Sequence, residues 1–151
     1  MAQQVSWQEY KTVAVRASTV LTNAYVAGVV IGAATNDANQ LKTNDQVDQW
    51  NKLALEVTFT LGSLTSADIK IEFSEDNTNF FQLTKSSFSG GTNTPAVGIY
   101  HFTANFTGYL DVNTDFFNGA GFKTKYIRVS SSGIGTVTNS LLAITAVVGV
   151  A

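Results

Sequence analysis

The stretch from Ala67 to Leu83, ADIKIEFSEDNTNFFQL, limits the possible folds more than any other part of the chain. Ile69, Ile71 and Phe73 alternate with Asp68, Lys70 and Glu72, the period-2 pattern of a strand with one face buried. Ser74 to Asn79 is polar throughout and short in side chain, so it cannot continue that strand. Asp and Asn side chains hydrogen-bond nearby backbone and favour turns. Phe80 to Thr84 is therefore expected to return as the second strand of a β-hairpin with a loop longer than two residues.

The same periodicity recurs along the chain. Leu53 to Leu61 carries Leu53, Leu55, Val57, Phe59 and Leu61 on one face, with Glu56, Thr58 and Thr60 on the other. Tyr10 to Ser18 pairs an apolar face at Val13 and Val15 with Thr12, Ala14 and Arg16. Thr22 to Ala33 is rich in β-branched residues and apolar on both faces around Val29 to Ile31, which predicts a central or covered strand. Phe88 to Pro95 is turn-forming throughout and holds the only proline. Further strands are expected over Val97 to Phe106, Gly108 to Val112, Phe122 to Ser130 and Thr136 to Val150, with Asn118-Gly119 as a turn. Nine or ten strands without a long helix predict an all-β, two-sheet antiparallel β-sandwich, jelly-roll-like, with at most one short helix.

The 151 residues are expected to form one domain, with an N-terminal arm over 1–9 and a long loop or short helix over 34–52. In the latter, Asn44 could cap a helix carrying Val47 and Trp50 on one side. Charged residues make up only 13% of the chain, against roughly 25% in an average soluble domain, and Ser, Thr, Asn and Gln take much of the polar role. Neutral polar surface desolvates at lower cost than Lys or Glu when another protein covers it. The exterior thus suits packing against neighbours. Val5, Trp7, Tyr10, Leu41, Val47 and Trp50 are the candidate contact residues, since they are the apolar side chains of the arm and of the long polar segment.

Other function classes find little support. The nine Lys and Arg are scattered and the net charge is −2, whereas phosphate-backbone binding needs clustered cations, so no nucleic-acid partner is expected. The most membrane-like run, Ala24 to Ala34, has eleven residues where a spanning helix needs about 20, and no membrane partner or secretory signal is expected. Without cysteine there is no disulfide framework, thiolate metal site or cysteine nucleophile. Glu72, Glu75 and Asp76 cluster in sequence, but as strand-face and turn residues they are expected to be solvated rather than to work as an acid–base pair. Glu75, Asp76, Asn77 and Asn79 are hard oxygen ligands in type, at a spacing unlike that of an EF-hand loop. His101 sits alone inside a strand, and no nucleophile elbow or phosphate loop accompanies it. No catalytic residue, metal or cofactor is expected, and the chain is not expected to be an enzyme.

Two stretches carry a resemblance. IKIEFSEDNTNFFQL and KYIRVSSSG, Lys125 to Gly133, resemble the strand–turn–strand and later-strand elements of discoidin-like jelly-roll modules. They are also similar to elements of small β-sandwich proteins in tailed-phage virions, including capsid decoration proteins. The phage resemblance implies a virion structural protein that decorates or cements a capsid as a homo-oligomer, with a trimer as one such form. Its partners would be the major capsid protein or another virion protein. The discoidin-like resemblance implies the alternative, a carbohydrate- or receptor-binding module of a tail fibre.

Overall fold

The computed structural model describes residues 10–32, 52–82, 84–89, 92–97, 99–117, 119–122 and 124–149. One sheet holds β1 (Tyr10–Thr19), β4 (Lys52–Thr60), β10 (Phe106–Asp111) and β12 (Leu141–Gly149), in the order β1-β12-β4-β10. The other is built on β5 (Leu64–Ser74) and β11 (Tyr126–Gly135), which pair along their length. Beyond β11 lie the short β2 (Val26–Ala27) and β3 (Ile31–Gly32), and beyond β5 lie β6 (Phe81–Gln82) and β9 (Ile99–Phe102). All of these pairings are antiparallel.

Merging β2 with β3, and β6 with β9, leaves eight strand positions in these two sheets among the described residues. In that numbering the two sheets read 1-8-3-6 and 2-7-4-5. First pairs with last, second with seventh, third with sixth and fourth with fifth. This is a jelly roll: a long hairpin rolled so that its two sheets face each other. The expected architecture is observed.

Period-2 alternation builds the core. Val13 and Val15 of β1, Leu53 to Phe59 of β4 at odd positions, and Leu142 to Val148 of β12 at even positions face inward. They meet Ala67, Ile69 and Ile71 of β5 and Ile127 and Val129 of β11 in one continuous cluster. Each fully buried Leu, Ile or Phe contributes about 1.5–3 kcal/mol of transfer free energy.

Three expectations need correction. Thr22 to Ala33 is not a central strand but an edge broken between β2 and β3. At the break, Gly28 N–H donates to Val129 O while Val29 N–H donates to Val15 O, so the chain bridges the two sheets there. A Cβ on Gly28 would lie 2.5 Å from Val15 Cγ1 and 2.6 Å from Val15 O, which is why the crossing needs glycine. Val97 to Phe106 is likewise not one strand. The chain leaves one sheet at Phe102 and enters the other at Phe106, with Asn105 Oδ1 accepting from Leu61 N–H at 2.8 Å.

Within the expected turn Phe88 to Pro95, Phe88–Ser89 and Thr92–Pro95 are strand, since β7 (Thr84–Ser89) and β8 (Thr92–Val97) form a separate two-stranded ribbon inserted between β6 and β9. Pro95 is tolerated because neither strand has a second neighbour among the described residues. Among the described residues the one helix is α1 (Val112–Phe117), in line with the expectation of at most one short helix. Asp111 caps it, accepting from Thr114 N–H at 3.2 Å and Thr114 Oγ1–H at 2.9 Å. The helix considered around Asn44 to Trp50 falls outside the described residues.

Candidate functional site

The sandwich has two ends of different character. At one end the connections close tightly: Leu21 N–H donates to Ser140 Oγ, and Asn23 Nδ2 donates to the carbonyls of Gly133 and Gly135. At the opposite end Tyr10, Gly149 and Lys52 stand side by side in register across β1, β12 and β4. Gly32, Tyr126 and Ser74 do the same across β3, β11 and β5.

Helix α1 joins the two rows. Asn113 Oδ1 accepts from Leu53 N–H at 2.7 Å, and the Phe117 ring stacks on Phe73 at 6.3 Å with Phe122 closing the group at 5.0 Å from Phe73. Residues 1–9 join the structure at Tyr10, and 33–51 join it at Gly32 and Lys52. Both candidate contact segments are therefore rooted at one end of the roll. Val5, Trp7, Leu41, Val47 and Trp50 themselves lie outside the described residues, and of Tyr10 only the backbone is described.

The hairpin loop expected from the sequence borders this end and is organised by one carboxylate. Asp76 Oδ1 accepts from Asn79 N–H at 2.7 Å, Thr78 N–H at 2.9 Å and Ser74 Oγ–H at 3.0 Å, and Oδ2 accepts from Asn79 Nδ2 at 2.7 Å. These bonds, the Asn79 and Thr78 amides first, hold its carboxyl far below the usual carboxylate range. Asn77 adopts φ 59°, a left-handed conformation that Asn accepts readily. With four internal donors, the Asp76 carboxylate staples the loop. Among the described residues no group of three or more His, Cys, Asp or Glu could hold a metal ion. Beside the loop lies an open hollow of about 330 Å³ with Ser74, Asp76, Thr124 and Phe81 on its walls. Phe81 is 70% exposed.

Several other titratable side chains are also engaged. Glu72 was expected to be solvated, but only 5% of its surface is exposed. It lies directly across from Arg128 in the β5–β11 ladder and accepts from Arg128 Nε at 2.8 Å and Nη2 at 3.0 Å, with Ser130 Oγ and Lys70 Nζ adding 3.3 and 3.8 Å contacts. Burial works against its charge, yet the Arg128 hydrogen bonds and the two cations outweigh it and keep the carboxyl below its ordinary value. Two aromatic rings close over the cations: Phe80 at 4.1 Å from Arg128 and Tyr25 at 4.2 Å from Lys70.

Asp68 pairs with the exposed His101, and Asp115 accepts from Tyr100 O–H at 2.6 Å. Burial and then the Asp115 bond raise the Tyr100 phenol well above its ordinary value. Tyr100 is thereby fixed against α1, where its ring meets Phe116 edge-on.

Sequence reasoning missed the Glu72–Arg128 pair and the α1 cap. The cap had a local signal, Asp111 followed three residues later by Thr114. The ion pair joins residues 56 apart and had none.

The sequence matches no protein-family model and no curated protein sequence. Among solved structures, the fold is similar to that of the SPBc2 prophage-derived protein YomS, with a TM-score of 0.51 and 11% identity, covering 98% of this chain and 99% of that one. A structure of the infectious bursal disease virus Gx strain gives 0.45 and 6% over 96% of this chain and 32% of that one. The VP2 subviral particle of the same virus gives 0.43 and 8% over 95% and 33%. The chain spans about a third of the length of those two viral chains. The likeness to YomS is one of fold, shared over the full length of both chains.

Proposed function

We propose that this chain is a non-enzymatic virion structural protein that decorates or cements a phage capsid as a homo-oligomer, with the major capsid protein or another virion protein as its partner. The observation that carries this reading is the common root of 1–9 and 33–51 at one end of a rigid jelly roll. A protein that grips a neighbour by two segments gains most when both leave the same end, because one docking event then engages both. The prophage origin of YomS, whose fold this chain shares, supports the setting. So does the engagement of Glu72, Asp76, Asp68 and Asp115 in internal bonds, which assigns them structural tasks.

The mechanism on this reading is mechanical. The jelly roll supplies stiffness, and the two segments spread stabilisation over many contacts; permanent interfaces of this kind bury on the order of 2,000 Å² or more. Deleting Met1 to Glu9 is expected to abolish co-sedimentation with capsids. The truncated protein should keep a cooperative melting transition, since the core cluster among the described residues starts at Val13. Unchanged co-sedimentation of the truncated protein would contradict the proposal.

A further inference from the structure

Phe81 is an aromatic side chain beside the docking end that the core does not take up. It pairs with Phe73 across β5 and β6, but Phe73 packs among the rings of Phe117 and Phe122 while Phe81, on the edge strand, stays 70% exposed. A single exposed ring is ordinary. This one, however, forms a wall of the hollow of about 330 Å³, with Phe73 as a second apolar wall. Among the described residues the charged lining is of one sign, Glu75 and Asp76. Asp76 has its oxygens bonded inside the loop and stays ionised into acid. Glu75 is exposed, and among the described residues no hydrogen bond or ion pair occupies its carboxylate. Lys125, the residue after Thr124, pairs with neither.

The same chain shows twice what an aromatic ring beside a glutamate holds. Phe80 lies 4.1 Å from the Arg128 guanidinium, which bonds Glu72, and Tyr25 lies 4.2 Å from the Lys70 ammonium, 3.8 Å from the same carboxylate. Phe81 and Glu75 repeat that pair of side-chain types on the surface. We infer that the hollow receives an arginine or lysine side chain of the virion protein on which the chain docks, with its stem against Phe81 and its charged head at Glu75. The inference rests on the chain being a virion protein that docks by this end.

Each part of the hollow suits such an occupant. The apolar walls match a methylene stem, and the ring face attracts the cation that follows it. The two carboxylates set an opposite charge at the mouth and disfavour an acidic partner. A neutral sugar fits less well, because it needs open hydrogen-bond donors. Here the Ser74 hydroxyl donates to Asp76, and the Thr124 hydroxyl to the carbonyls of Ser74 and Tyr126. The charge match thus selects a cationic side chain.

Co-sedimentation of the full chain with capsids of the source particle, titrated at two salt concentrations, tests it. Phe81→Ala and, independently, Glu75→Gln should each weaken binding about tenfold, and Glu75→Lys about a hundredfold. Both replaced side chains are exposed, so the variants should melt as the native chain does. Native binding should weaken between about 0.05 and about 0.3 M NaCl, and Glu75→Gln should flatten that dependence. Glu56→Gln, an exposed carboxylate on the other sheet, should bind as the native chain does. Native affinity in both Phe81→Ala and Glu75→Gln would overturn the inference. So would a loss in Phe81→Ala alone with the salt dependence intact, the result a neutral occupant gives. The arm deletion keeps the two proposals apart. Lost binding there beside native binding in the Phe81 and Glu75 variants strikes only the hollow, the reverse strikes only the arm, and a native chain that does not sediment strikes both.

Discussion

An Arg128→Met variant is expected to unfold with about 3 kcal/mol less stability at neutral pH, because it leaves the Glu72 carboxylate buried without its main partner. Methionine preserves the stem that lies under the Phe80 ring and removes only the guanidinium. Lys70, at 3.8 Å, compensates in part. Glu72→Gln should be milder, about 1 kcal/mol, since the amide keeps a hydrogen-bond acceptor toward Arg128.

The pH dependence separates a lost ion pair from lost packing. In the native chain the folded-state carboxyls of Glu72 and Asp76 titrate below their unfolded values. Their contribution is complete above the ordinary carboxylate range and is lost as pH falls through the lowered values. In Arg128→Met, burial acts on Glu72 with far less opposition and favours its neutral form, so acidification relieves the variant while it weakens the native protein. The gap between the two should narrow from about pH 7 to about pH 4 in urea titrations. A gap constant with pH would show that packing, not charge, explains the loss.

Gly28→Val is expected to cost about 3 kcal/mol and to lower the melting temperature by several degrees. Its Cβ would meet Val15 Cγ1 and the Val15 carbonyl, and the carbonyl, being backbone, cannot swing aside. Relief requires moving the chain off β1 and losing the Gly28 N–H to Val129 O and Val29 N–H to Val15 O bonds, both 2.9 Å. Ala27→Val, one residue earlier and exposed, is the control and should be nearly neutral. Equal stability for Gly28→Val and the native chain would mean that the crossing between sheets is not tight.

These two sites also mark where the sequence stops informing. Alternation at Leu53 to Phe59 and Ile69 to Phe73 is a local consequence of one buried face, so β4, β5 and the two-sheet architecture are legible without pairing information. The polar run Ser74 to Asn79 announces its loop for the same reason. Thr22 to Ala33 misleads because apolar residues on both faces describe a crossing between sheets as well as a central strand, and only Gly28 hints at the difference. Phe102 to Phe106 misleads because the turn has neither Gly nor Pro and is fixed by the long-range Asn105–Leu61 bond. Strand parity alone predicts a solvated Glu72. Its burial depends on a β11 neighbour and on two loop aromatics that no local pattern announces. For the candidate docking end, the sequence named the two segments, and the jelly-roll order was needed to root them together.

Imaging the source particle by electron cryomicroscopy tests the central claim most directly. We predict a jelly roll seated on the shell with the Tyr10, Lys52 and Gly149 end inward and the Leu61–Asn105 turn outward, in copies at fixed capsid positions. Particles that lack the chain, or that carry it with that end facing solvent and a ligand in the Phe81 hollow, would contradict it.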